Sequence, residues 1–155
     1  MDWYPILKTV HVVGVILFVG NITVTGMWKA MADRTRDPHI IAFAQRLVTL
    51  TDWVFTLGGI VLLAISGALT AQIGGYAMTA PWLIWGTALF ALTGVIWIAV
   101  LVPAQMALGR MAREFAVSGA IPDRYWRIER RWMVFGIVAT ILPIATVAVM
   151  VFKAG

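Results

Sequence analysis

Four long apolar segments, separated by short polar connections, constrain this chain more than any other feature. They comprise residues 5–28, 47–72, 82–108 and 132–152. A helix needs about 20 mostly apolar residues to cross the hydrocarbon core of a bilayer, and each segment meets that length. Because backbone polar groups in lipid must be satisfied within helices or closed barrels, the pattern predicts an all-α, polytopic membrane four-helix bundle.

The composition supports this prediction. The chain is 61% hydrophobic and 12% charged, whereas soluble domains average about 45–50% apolar and about 25% charged residues. The four helices and their connections account for residues 1–155, so we predict a single transmembrane domain with no room for a soluble catalytic domain. The chain has no cysteine, which excludes disulfides, thiolate-held clusters and a nucleophilic thiol.

The basic residues predict an orientation. Ten of the twelve Lys and Arg residues lie in the connections 29–46 and 109–131, and none lies in the connection 73–81. The positive-inside rule makes the two basic connections cytoplasmic loops and places both termini outside the cytoplasm. We therefore expect a multi-pass membrane protein whose basic residues contact anionic lipid headgroups rather than nucleic acid.

Lys8 and His11 lie one helical turn apart near the start of the first apolar segment. Ionisable side chains inside a membrane are costly, so such a pair marks a candidate functional site. Lys8 could instead extend its amine to the outer headgroups, and His11 could form a hydrogen bond between helices. The functional interpretation of His11 is an axial ligand of haem iron or a proton relay, because imidazole binds metals and titrates near neutral pH. Gly14, one turn further on, would then leave space for the flat macrocycle.

A bis-histidine haem within one chain is excluded by distance. The second histidine, His39, lies in the first basic connection, and a helix from residue 11 to residue 28 alone rises roughly 25 Å. The second ligand of a haem at His11 would have to be Lys8, a methionine, a water molecule or His11 of a second copy.

Asp52 is the carboxylate that lies within an apolar segment. It could cap the start of the second helix at the membrane interface. Alternatively, it forms an intramembrane polar cluster with Asn21 and Thr25 of the first helix, or an ion pair with Arg46 or Arg131. Motifs of phosphate-binding loops, serine hydrolases and zinc proteases are absent from the sequence.

Small residues predict where the helices approach each other, because packing rather than hydrophobicity associates helices in lipid. Gly14 and Gly20 are candidates in the first helix, and Gly58 and Gly59 are candidates in the second.

Several short motifs resemble an uncharacterised bacterial family of predicted four-helix integral membrane proteins, a domain of unknown function. The resemblance covers nearly the whole chain and implies a protein of the bacterial inner (cytoplasmic) membrane. Its motifs are Tyr4-Pro-Ile-Leu-Lys8-Thr-Val-His11, Asp52-Trp-Val-Phe-Thr56, Ser66-Gly67, Trp82-Leu83 and Met150-Val-Phe-Lys153.

A more distant resemblance is to HemJ-type protoporphyrinogen oxidases, which are small membrane enzymes that bind haem b. It is carried by Lys8-x-x-His11, Arg46-Leu47, Trp82-Leu83 and the terminal Val-Phe-Lys153. The resemblance implies that His11 is a haem ligand and that Lys8 is its supporting cation.

Three functional hypotheses follow. The first is a haem-b-binding redox protein with His11 as ligand, and the second is a non-catalytic accessory or assembly subunit of a membrane complex. The third is a small transporter or proton relay that uses Asp52 and Asn21. Whether the protein is an enzyme, and whether it binds a membrane protein partner or a second copy of itself, stays open.

Overall fold

The structure, a computed structural model, describes residues 2–153 and consists of four helices joined by short connections. These helices are α1 (Trp3–Thr35), α2 (Pro38–Ile73), α3 (Pro81–Ser118) and α4 (Asp123–Phe152). All four are long and apolar enough to cross a membrane, and the described residues contain no strand. The predicted all-α membrane architecture is therefore confirmed, whereas the orientation of the termini stays a prediction.

The helices extend well beyond the apolar segments, so most of residues 29–46 and 109–131 is helical rather than loop. The Asp37 side chain accepts hydrogen bonds from two amides in the first turn of α2, and Pro38 suits the first helical position. Gly119 ends α3 with a positive φ of 75°, a conformation that glycine adopts without steric cost. Basic charge alone does not distinguish a loop from the exposed face of a helix, which is why the loop prediction was wrong for most of residues 29–46 and for residues 109–118.

These extensions form the most completely buried part of the bundle. Apolar residues recur at helical spacing along α2 and α3 and pack against each other, which buries one face of each extension. The buried residues of this region are Ile41, Val48, Leu108, Ala112, Phe115 and Tyr125. We call this end of the bundle the basic end, and the opposite end, which contains the connection 74–80, the hairpin end.

Helices α1 and α2 approach each other closely in the middle of the bundle. A Cβ atom placed on Gly59 would lie 2.8 Å from Cβ and 3.0 Å from the backbone nitrogen of Phe18. A Cβ atom on Gly14 would lie 3.2 Å from Cγ of Leu63. The predicted packing roles of Gly14 and Gly59 are therefore confirmed.

The same prediction was wrong for Gly20 and Gly58. A Cβ atom at either position would meet nothing within 4 Å. Small residues permit close approach, but only those on the face toward a neighbouring helix are used for it.

Replacement of Gly59 by alanine is expected to destabilise the protein by about 1–3 kcal/mol, because the added methyl group meets the backbone of α1 and forces the helices apart. Gly58→Ala is the matched control, because its methyl group points into open space and alanine favours the helix. The free energy of unfolding in detergent, measured by SDS titration, distinguishes the two variants. Equal stability of both variants would contradict this account of the α1–α2 contact.

Candidate functional site

Asp52 lies at the centre of a polar cluster between α1 and α2. Asn21 Nδ2 and Thr56 Oγ1 each donate a hydrogen bond to Asp52 Oδ1 at 2.9 Å. Asn21 Nδ2 also lies 2.9 Å from Thr56 Oγ1 and donates to it. Asp52 and Thr56 are both buried, and Asn21 is partly buried. Two residues of the predicted cluster, Asn21 and Asp52, are thus in direct contact.

The third predicted member, Thr25, occupies a neighbouring position. Its hydroxyl donates to the backbone carbonyl of Asn21 at 2.7 Å, one turn earlier on α1. It does not bond to Asp52 in the described structure, but both residues line the same cavity.

The other two interpretations of Asp52 were wrong. Asp52 is not a helix N-cap, because α2 begins at Pro38 and continues through it without a break. It also forms no ion pair with Arg46 or Arg131. Among residues 2–153 the one salt bridge joins Lys29 and Asp33.

A π-helical turn places Asp52 in this cluster. Over Asp52–Thr56 the amide of Leu57 donates to the carbonyl of Asp52, five residues earlier, instead of four as in an α-helix. A second π-helical turn occurs in α3 over Trp97–Leu101. The two turns are in contact through one pair of side chains, because the rings of Trp53 and Trp97 pack edge to face with centroids 6.4 Å apart. Single π turns are rare and occur frequently at functional sites.

A cavity of about 270 Å³ lies beside Asp52, between α1, α3 and α4. Its wall is mostly apolar, and its polar side chains are Asp52 and several threonines, among them Thr25, Thr93 and Thr140. Trp97 and Trp132 also line it, and the indole nitrogens of both are buried without a hydrogen-bond partner in the described part of the chain. The site thus combines a carboxylate, hydroxyl groups and indole rings in apolar surroundings.

His11 packs directly against α2. Its Nδ1 lies 3.2 Å from Ser66 Oγ, and a Cβ atom on Gly67 would lie 3.0 Å from Cε1 of the His11 ring. The imidazole is therefore a hydrogen-bonded group between two helices. This is the alternative to haem binding that the sequence offered for His11.

The residues around His11 do not form a haem pocket in this packing. The space beside Gly14 that a macrocycle would need is filled by Leu62 and Leu63 of α2, and Lys8 is exposed on the outside of the bundle. Within residues 2–153 no three His, Cys, Asp or Glu side chains are grouped so as to hold a metal ion. Haem b binding by His11, Lys8 and Gly14 stays a prediction.

A buried polar cluster at the basic end was not predicted from the sequence. Lys29 Nζ donates hydrogen bonds to Asp33 Oδ2 and, at 2.7 Å, to Tyr125 Oη. The Tyr125 hydroxyl in turn donates to Asp33 Oδ1 at 2.8 Å. Lys29 and Asp33 were assigned to a basic loop, yet their spacing of four residues places them on one helix face. Their position on the same face as Thr25 was the signal that could have identified them.

The Asp52 cluster lies between this basic-end cluster and an apolar layer. Along α1, Asn21 precedes Lys29 by eight residues, a rise of about 12 Å. On the hairpin side, Phe18 packs on Gly59 and its ring meets Phe90 edge to face, with centroids 6.3 Å apart. Phe18 therefore separates Asp52 from His11.

A family model described as predicted integral membrane protein (DUF2269) matches residues 5–154. No curated protein and no solved structure matches the chain.

Removal of the Tyr125 hydroxyl is expected to lower the free energy of unfolding by about 1–3 kcal/mol, because Lys29 and Asp33 would each lose a buried hydrogen bond. Tyr125→Phe preserves the ring that packs edge to face on Phe115. The matched control is Tyr76→Phe. The Tyr76 hydroxyl pairs with that of Tyr4 at 2.9 Å in a less buried position, so its removal should lower the free energy of unfolding less. SDS titration measures both, and a loss at Tyr76 as large as that at Tyr125 would refute the expected difference.

Proposed function

The chain belongs to the family of predicted integral membrane proteins described as DUF2269, and from this premise we propose that it is a small membrane transporter in which Asp52 binds and releases a proton. The observation that carries the proposal is a buried carboxylate, held by a π-helical turn, at the wall of a cavity inside the bundle. Ionisable residues in membrane helices characteristically line ion pathways and proton relays.

The partners of Asp52 suit a group that changes its charge. They are the amide of Asn21 and the hydroxyl of Thr56, both neutral. A carboxylate in an ion pair must break that pair in order to take up a proton. Asp52 has no such cation among the described residues, and the Thr56 hydroxyl can rotate to accept a hydrogen bond from the protonated acid.

The surroundings of Asp52 suggest a direction of access. Toward the basic end, polar groups continue along α1 from Asn21 through Thr25 to Lys29. Toward the hairpin end, the buried Phe18 packs against Gly59 of α2 and Phe90 of α3. We infer that Asp52 exchanges protons with the basic side in this conformation, and that transport requires a movement of the Phe18 layer. The positive-inside rule makes that side the cytoplasm of the cell, with the protein in the cytoplasmic membrane.

Replacement of Asp52 by asparagine is expected to abolish proton movement while it preserves the size of the side chain and an acceptor for Asn21 and Thr56. The measurement is proton uptake by proteoliposomes that contain a pH-sensitive dye, driven by a potassium diffusion potential. Asp123→Asn is the matched control, because Asp123 is an exposed carboxylate in the first turn of α4. Uptake by Asp52→Asn at the wild-type rate, or no uptake by the wild-type protein, would refute the proposal.

Haem b binding at His11 is the competing redox proposal, and the Lys8-x-x-His11 spacing supports it. The hydrogen bond to Ser66 and the contact with Gly67 favour a packing role for His11 instead. Two observations together would favour an accessory-subunit role. The wild-type protein would show no proton uptake, and a second protein would copurify with it in stoichiometric amount.

The absorption spectrum of protein purified from haem-replete membranes separates the two roles of His11. With a packing role we expect no Soret band, and His11→Ala should destabilise the α1–α2 contact by about 1–3 kcal/mol through loss of a partly buried hydrogen bond. A Soret band that disappears in His11→Ala but persists in Ser66→Ala would establish the haem role and contradict this expectation.

A further inference from the structure

The cavity beside Asp52 has the charge of a cation-binding site. Of the residues that line it, Asp52 alone is ionisable, and no lysine or arginine among residues 2–153 lines it. A ligand that binds there with Asp52 ionised must supply the positive charge itself, because an unpaired charge in apolar surroundings is costly.

The aromatic residues of the cavity suit an organic cation. Trp97 and Trp132 both line the cavity and are both buried. Cations are attracted to the faces of aromatic rings, most strongly to tryptophan, and sites for quaternary ammonium groups are commonly built from such rings. A carboxylate with two indoles therefore favours an alkylated ammonium group over a hydrated metal ion.

The cavity opens sideways toward the membrane. Three of its lining residues, Met27 of α1 and Ile137 and Ile141 of α4, are 62%, 54% and 58% exposed on the outer surface of the bundle. A ligand that passes between these side chains comes from the hydrocarbon region and must itself be lipophilic. The volume of about 270 Å³ restricts the part that is enclosed to a small group.

We propose that the ligand of this site is a lipophilic organic cation, which enters from the membrane between α1 and α4 and pairs with the Asp52 carboxylate. This inference rests on the proposed function and names the class of solute that would compete with the proton for Asp52. Binding of the cation to the protonated acid releases that proton, so that one positive charge replaces another at Asp52.

Two glycines allow the cavity to be filled without disturbance of Asp52. Gly26 of α1 and Gly136 of α4 both line it, and a Cβ atom at either would meet nothing within 4 Å. A leucine at position 136 would therefore extend into the space that the ligand would occupy. Gly20→Leu is the matched control, because Gly20 has equally open surroundings but does not line the cavity.

The test is equilibrium dialysis of radiolabelled phenyltrimethylammonium against the full-length protein in detergent. Wild-type protein and Gly20→Leu should bind it equally. Binding should weaken at least roughly tenfold in Asp52→Asn, because a buried charge partner is removed, and should be lost in Gly136→Leu. Uncharged tert-butylbenzene, which has the same shape, should compete far less effectively than the unlabelled cation.

Three outcomes would overturn the inference: no binding to the wild-type protein, equal binding to Asp52→Asn, or equal competition by the hydrocarbon. Proton uptake, measured on the same preparations, keeps the two proposals separate. Proton uptake without cation binding overturns the inference about the ligand alone, whereas cation binding without proton uptake overturns the transport function alone.

Discussion

The close contact between α1 and α2 determines where the polar groups of the membrane interior lie. In lipid a polar side chain needs a partner within the protein, and glycines let these two helices approach closely enough to provide one. Phe18 packs on Gly59, and on either side of this contact a polar residue of α1 meets α2. His11 reaches Ser66 toward the hairpin end, and Asn21 reaches Asp52 toward the basic end.

The contact between α1 and α4 has a different character, and the cavity follows from it. At the basic end, Lys29 and Asp33 of α1 are joined to Tyr125 of α4 by buried hydrogen bonds. Further into the bundle α1 and α4 face each other across the cavity, where both Gly26 and Gly136 have open surroundings. The two helices are thus held together at one end and separated beside Asp52.

Part of the candidate site was predictable and part was not. Asn21 and Asp52 were recognised because polar residues in apolar segments are rare, and helix pairing then placed them at similar depth. The cavity and Tyr125 were missed, because they depend on how α4 packs against α1. The prediction of open space beside Gly14 was also wrong. A glycine permits a neighbouring helix to approach, and here Leu62 and Leu63 fill the position.

The sequence by itself determined the number of helices and the membrane environment, because both follow from the length and hydrophobicity of local segments. It also determined that positive charge concentrates at one end of the bundle. Only the tertiary structure decided that Asp52 lies in a π-helical turn rather than at a helix start, and that Lys29 is buried rather than in a loop. Hydropathy reports the preference of each residue for lipid or water, whereas these positions depend on which side chains of other helices are near enough to form hydrogen bonds.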